Sequence, residues 1–129
     1  MSEEYIDFVN SVTSKSTKNQ SDLLEALDIM EEQGATPSRL LTTALGLNGE
    51  AAEFSELIKK CIFQGREYTD EVHAELKSEL SDIMWYIAQG CIALDTTIEE
   101  LMEINTSKLK ERYPDGFDKN KSNARYVNE

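Results

Sequence analysis

Apolar residues recur at spacings of three and four along most of this chain, and no long stretch alternates with a period of two. Spacings of three and four place side chains on one face of an α-helix, whereas a period of two indicates strands. Only two prolines interrupt the 129 residues, which is one domain's worth of chain. The pattern therefore predicts a single all-α domain over residues 1–129, built as a bundle of four or five helices.

Capping and turn residues set the predicted boundaries. Thr36 with Pro37 starts one long helix, Gly65 closes it, and Thr97 with Glu100 forms a capping box for the last helix. The predicted helices lie at about 5–12, 21–33, 37–63, 70–94 and 97–113.

Three segments are predicted to be non-helical. The polar run 14–20 is expected to form a connector, and "YPDGF" at 113–117 a turn. The polar tail 118–129 is expected to be extended, with Lys119, Lys121 and Arg125 solvated.

The stretch from Ile83 to Leu94, "IMWYIAQGCIAL", has Gln89 as its one strongly polar residue. It is shorter than the roughly 20 residues that cross a bilayer, so it predicts a buried helix that must be covered on more than one side. Four or five helices in one subunit offer too little cover. We therefore expect a homodimer or homotetramer, with the functional site near the subunit interface.

The net charge of the chain indicates which classes of ligand it can bind. Thirteen basic and twenty-five acidic residues give a net charge of −12, which repels nucleic-acid backbones and anionic membranes but suits divalent cations and the phosphates they bring. The acidic N-terminus lacks an apolar signal segment, so a cytoplasmic protein is expected. Cys61 and Cys91 lie in apolar helical runs and are expected to be core thiols.

Two acids, Glu50 and Glu53, stand beside the apolar seam of the helix predicted over 37–63. Glu50 falls within the stripe, close in angle to Leu57 and Cys61, where an unpartnered carboxylate is unfavourable and a cation would stabilise it. Gly46 and Gly49 lie on the same flank and would allow close approach of a helix or ligand. The expected seam consists of Leu40, Ala44, Leu47, Ala51, Phe54 and Ile58.

A second acid pair at the same spacing, Glu79 and Asp82, lies on the next long helix with Tyr86 on the same flank. Four carboxylates converging from two helices suit hard ions such as Mg²⁺, and Glu56 would extend the first row. A diiron bundle is excluded because it requires two ExxH motifs, and His73 is the chain's one histidine. The alternative is a non-catalytic acidic binding or assembly module whose carboxylates form a solvated face.

Three segments carry a family resemblance: "LGLNGEAAEFSELIKK", "ELKSELSDIMWYIA" and "NTSKLKERYPDGF". Together, over residues 45–117, they resemble the MazG-like nucleoside triphosphate pyrophosphohydrolases of the all-alpha NTP pyrophosphohydrolase superfamily. The resemblance implies Mg²⁺-dependent hydrolysis of a nucleoside or deoxynucleoside triphosphate to a monophosphate and pyrophosphate, with Mn²⁺ able to substitute. It also implies that Glu50, Glu53, Glu79 and Asp82 are the catalytic metal ligands.

The last predicted helix supports this resemblance. Asn105 occupies a position where helical spacing calls for an apolar residue, and with Lys108 it matches the family's N-x-x-K. The expected substrate-binding residues are Asn105, Lys108, Tyr86, Lys60 and Arg112. The resemblance does not extend to residues 14–36, so it implies no base-selecting residues there.

Overall fold

The computed structural model describes residues 1–124, and Arg125, one of the three tail cations, lies outside the described residues. Within that range the chain is all-α, as predicted. Its seven helices are α1 (Glu3–Ser11), α2 (Lys15–Lys18), α3 (Gln20–Glu32), α4 (Pro37–Phe63), α5 (Asp70–Ala93), α6 (Ile98–Arg112) and α7 (Lys119–Ala124).

The two short helices were not predicted, and they raise the number of helices above the expected four or five. Within the supposed connector, the Ser14 hydroxyl accepts a hydrogen bond from the Thr17 amide at 3.3 Å and caps α2. Within the supposedly extended tail, Asp118 Oδ1 accepts one from the Asn120 amide at 2.8 Å and starts α7. Local capping by a serine and an aspartate is therefore enough to form a helical turn in both polar segments.

The ends of the long helices agree with the predicted boundaries, although two caps differ in detail. Thr36 precedes Pro37 but makes no side-chain capping bond. Thr97 accepts a hydrogen bond from the Glu100 amide at 3.1 Å, whereas the Glu100 carboxylate bonds to the Thr96 hydroxyl. The capping box is therefore only half formed, because a neighbouring hydroxyl takes its second partner.

Helices α4 and α5 form an antiparallel hairpin that is the main helix–helix contact of the subunit. Gly65, with φ of +68°, ends the α4 segment, a conformation that glycine adopts without a Cβ penalty. At the other end of the hairpin, Arg39 Nη1 donates to Gln89 Oε1 at 2.8 Å. This bond gives the polar residue of the apolar α5 segment a partner inside the hairpin.

The buried core is small for a chain of this size. Among the described residues the buried apolar side chains are Leu57, Val72 and Cys91, and Trp85 on the outer side of α5 is 55% exposed. A compact monomer of 14.6 kDa exposes about 6,900 Å², whereas this chain exposes 10463 Å². The subunit therefore leaves much apolar surface uncovered, including Leu80, Met84 and Ile92 on α5.

None of the helices in the described range combines the length and apolarity that a bilayer span requires.

The N-caps of the two long helices provide a matched test of local stability. Thr69 Oγ1 accepts a hydrogen bond from the Val72 amide at 3.3 Å, whereas Thr36 makes no such bond. We expect Thr69→Ala to lower the free energy of unfolding by about 1 kcal/mol and Thr36→Ala by less than about 0.5 kcal/mol. Urea unfolding at a fixed protein concentration measures both, and equal losses would contradict the assigned caps.

Candidate metal centre

Three carboxylates converge where α4 faces α5. Glu50 and Glu53 lie one turn apart on α4, Glu79 lies on α5, and one oxygen from each lies within 4.8 Å of the other two. Glu50 and Glu79 are half-buried, while Glu53 is exposed. The arrangement joins the first acid pair to the first member of the second, so three of the four carboxylates expected to converge lie together.

The register of the hairpin explains why these acids meet. A Cβ at Gly90 would lie 3.0 Å from Thr43 Cγ2, and one at Gly46 would overlap the ring of Tyr86. As the residue number rises on α4, it falls for the facing residue on α5. Continuing this antiparallel order brings the turn that carries Glu50 and Glu53 opposite the turn that carries Glu79.

The flank of α4 that carries Glu50 faces α5. Leu57 is buried on this flank, and Glu50 and Cys61 are half-buried. Gly46 gives the close approach that was expected there, whereas Gly49 is exposed and a Cβ at that position would meet nothing within 4 Å. The expected apolar seam is partly covered: Ala44 and Ala51 are exposed, and the half-buried members are Leu40, Leu47, Phe54 and Ile58.

Glu79 is the member of this cluster whose ionised form is disfavoured by its surroundings. Its Oε2 atom has almost no contact with solvent and no hydrogen-bond partner. Desolvation by burial and then the negative charge of Glu53 raise the pKa of the Glu79 carboxyl above its ordinary value. Once protonated, Glu79 can donate to Glu50 or Glu53, which further favours the neutral form.

The donor set fits a hard divalent cation. Three carboxylate oxygens within 4.8 Å of one another are the ligand type that Mg²⁺, Mn²⁺ and Ca²⁺ prefer. A cation would also provide the partner that Glu79 Oε2 lacks and offset the repulsion among three like charges. Glu50, Glu53 and Glu79 are therefore suited to hold such an ion.

Two other predicted acids lie outside this group. Asp82 is exposed one turn after Glu79, and it is not among the three carboxylates that converge. Glu56 does not extend the row of carboxylates. It forms an ion pair with Lys59 instead, with 2.8 Å between Glu56 Oε2 and Lys59 Nζ. The ammonium hydrogen-bonded to it lowers the pKa of the Glu56 carboxyl.

Among the predicted substrate-binding residues, Tyr86 lies nearest the hairpin contact. Its ring is half-buried against Gly46 and meets Trp85 edge to face, with centroids 4.9 Å apart. Lys60 is half-buried near the end of α4.

The other three predicted substrate-binding residues lie on α6. Asn105 and Lys108 are exposed, so the structure shows the expected N-x-x-K on an open helical surface. Arg112 instead donates from Nη2 to the carbonyl oxygen of Lys121 at 3.2 Å and to that of Ser122 at 3.5 Å. The structure therefore uses Arg112 to hold α7 against the end of α6.

Two features of the hairpin were missed from the sequence. Gly90 allows Thr43 to approach α5, and Arg39 reaches across to Gln89. A glycine within an otherwise apolar helical run was the available signal for the first contact. The second joins residues 50 positions apart and left no local signal.

Comparisons with known proteins identify a family for most of this chain. The model of the MazG nucleotide pyrophosphohydrolase domain matches residues 38–117, more than half of the chain; it starts before Leu45 and ends with the resembling segments at Phe117. The Gene 37 protein of Mycobacterium phage L5 is 37% identical over 70 residues, covering 53% of this chain and 60% of that protein. The chain thus spans less than two thirds of that relative. No solved structure matches significantly.

The raised pKa of Glu79 predicts how the metal-free protein responds to pH. Because the folded pKa is raised, the contribution of Glu79 to stability is present below the ordinary carboxyl pKa and is lost as pH rises through the raised value. We expect Glu79→Gln to remove part of this loss and to stabilise the metal-free protein at neutral pH. Thermal unfolding in EDTA from about pH 4 to about pH 8 measures the effect.

Glu56→Gln is the matched control on α4. The lowered pKa of Glu56 means that its contribution is present above the ordinary carboxyl pKa and is lost as pH falls. Its removal should slightly destabilise the protein at neutral pH, the opposite sign to Glu79→Gln. A change in stability of the same sign in both variants would contradict the proposed repulsion at Glu79.

Proposed function

The chain belongs to the MazG nucleotide pyrophosphohydrolase family, and on that basis we propose that it hydrolyses a nucleoside or deoxynucleoside triphosphate with Mg²⁺ to a nucleoside monophosphate and pyrophosphate. One observation carries the proposal: Glu50, Glu53 and Glu79 converge around a carboxylate oxygen without a partner. Such a site binds a hard cation, and a cation brings a polyanionic substrate to a chain with a net charge of −12.

In the proposed reaction, water adds across the phosphoanhydride between the α and β phosphates. A new P–O bond forms to the water oxygen, the bridging P–O bond breaks, and pyrophosphate leaves. When bound, the cation supplies neutralisation of the phosphate charge and a more acidic water. Glu50, Glu53 and Glu79 would hold it, with Asp82 as the fourth ligand because it completes the ExxE and ExxD pairs of the family.

The protein's own residues then bind and orient the substrate. Lys60 and Lys108 offer positive charge to the phosphates, and Asn105 offers an amide to phosphate or sugar. We assign to Tyr86, four residues after Asp82 on α5, the contact with the sugar or base. Arg112 also offers positive charge to the phosphates, but one of its guanidinium nitrogens already donates a hydrogen bond to α7.

We further propose that the active form is a homo-oligomer, a dimer or a dimer of dimers. The exposed area of one chain exceeds that of a compact monomer by about 3,500 Å². Two copies together would have about 7,000 Å² of such excess, which is more than the roughly 2,000–5,000 Å² that obligate interfaces bury over both partners. The exposed side chains of α5, among them Trp85 and Ile92, are apolar. A second copy of the chain offers the same apolar surface in return.

The competing function is an acidic helical binding or assembly module without turnover. It explains exposed acids such as Glu53, but it gives no role to Glu79, whose Oε2 atom lies away from solvent without a donor. We therefore favour the enzyme.

Substitution of the clustered acids tests the enzyme directly. Glu53→Ala should lower pyrophosphate release by at least about 100-fold with little loss of stability, because Glu53 is exposed and its charge only repels Glu79. Asp82→Ala should act in the same direction. The measurement is release of monophosphate and pyrophosphate from a panel of common and modified triphosphates with Mg²⁺, with EDTA abolishing it.

Glu56→Ala provides the control, since this acid lies on the same helix but pairs with Lys59. Activity of this variant should stay near that of the unmodified protein. Absence of turnover on every triphosphate, or full activity of Glu53→Ala, would favour the assembly module.

Oligomerisation is tested by sedimentation of the unmodified protein at micromolar concentration. We expect a dimer or tetramer, and Trp85→Glu should shift the population toward monomer because a charge would be buried in an apolar interface. Glu56→Ala, which leaves the apolar side of α5 unchanged, should sediment as the unmodified protein does. A stable, folded monomer of the unmodified chain would contradict the proposal.

A further inference from the structure

Two glycines of α4 have opposite surroundings. A Cβ at Gly46 would overlap ring carbons of Tyr86, whereas one at Gly49 would meet nothing within 4 Å. Each glycine inside a helix costs about 1 kcal/mol relative to alanine. At Gly46 the contact with an aromatic ring offsets that cost, because no other residue leaves room for the ring.

The Tyr86 ring has a second neighbour besides Gly46. Tyr86 is half-buried, and the Trp85 ring stands perpendicular to it at 4.9 Å. A methyl group at position 46 requires either a shift of the ring or separation of α4 from α5, and we expect separation because packed interfaces transmit such changes to the backbone.

The contact lies one turn from Glu50 on α4 and two turns from Glu79 on α5. Gly46 precedes Glu50 by four residues, and Tyr86 follows Glu79 by seven. Residues at spacings of four and seven share a helix face. A change in helix separation at Gly46 thus moves Glu50 relative to Glu79, whose carboxylate oxygens now lie within 4.8 Å of each other.

We propose that Gly46 is a positioning residue: by leaving room for the Tyr86 ring, it sets the α4–α5 separation at which Glu50 and Glu79 hold one cation. This inference rests on the proposed function, because it assumes that the carboxylate cluster binds a metal. It assigns to Tyr86 a structural role at the site in addition to any contact with substrate.

The experiment measures Mn²⁺ binding by electron paramagnetic resonance, without substrate, so that the readout does not depend on turnover. Gly46→Ala should weaken Mn²⁺ binding by about tenfold or more, as displacement of groups that orient metal ligands does. Gly49→Ala is the matched control with the same gain in helix propensity, and its Mn²⁺ affinity should equal that of the unmodified protein.

A second comparison does not require Gly46→Ala to fold alone. The three atoms nearest to a methyl group at position 46 all belong to the Tyr86 ring, so Gly46→Ala with Tyr86→Ala should bind Mn²⁺ as tightly as Tyr86→Ala by itself. A further loss in the double variant, an equal loss in both glycine variants, or no loss in Gly46→Ala would overturn the inference. Failure of the unmodified protein to bind Mn²⁺ would instead overturn the proposed function.

Discussion

Repulsion among three carboxylates at a helix–helix contact is the constraint on which the rest of this structure depends. Packing of α4 on α5 brings Glu50, Glu53 and Glu79 together, although burial and the neighbouring negative charges disfavour ionisation of Glu79. The hairpin tolerates the cluster because glycines at 46 and 90 admit Tyr86 and Thr43 at the interface. The contact between α4 and α5 thus produces both close helix packing and an unfavourable arrangement of charges. A bound cation would offset the repulsion among the carboxylates and leave the helix packing unchanged.

The helices and the acid pairs could be predicted because both leave local signals. Apolar spacing and residues such as Gly65 and Thr97 fixed the long helices to within one or two residues. The partners of individual side chains could not be predicted, since Glu56 pairs with Lys59 one turn away while Glu53, with the same spacing pattern, joins the cluster. Periodicity defines the faces of a helix, but which face meets a neighbour depends on contacts between residues distant in sequence.

The small core and the charged cluster also bear on each other. The buried apolar side chains of the subunit include Leu57 and Cys91, on the two helices that carry the carboxylates. Little apolar burial is thus available within one subunit to hold charged groups in place, and stability is the small difference between large opposing contributions. Cover of the exposed side of α5 by a second copy would strengthen the same helix pair that positions the acids, so that assembly and the metal centre would be linked through α5.

Family membership establishes the class of domain, whereas the case for a working site rests on the chemistry of Glu79. A carboxylate that served only to solvate the bundle would lie in water, where ionisation is easy. A residue that served only to fill the interface would be better replaced by glutamine or an apolar side chain, because neither brings a charge into contact with Glu50 and Glu53. Glu79 does neither: its Oε2 atom lies away from solvent and has no donor, and burial together with the neighbouring charges raises its pKa. A hard cation would give Glu79 Oε2 a partner and would favour the ionised carboxylate. The same cation would reduce the repulsion between a triphosphate and a strongly acidic protein.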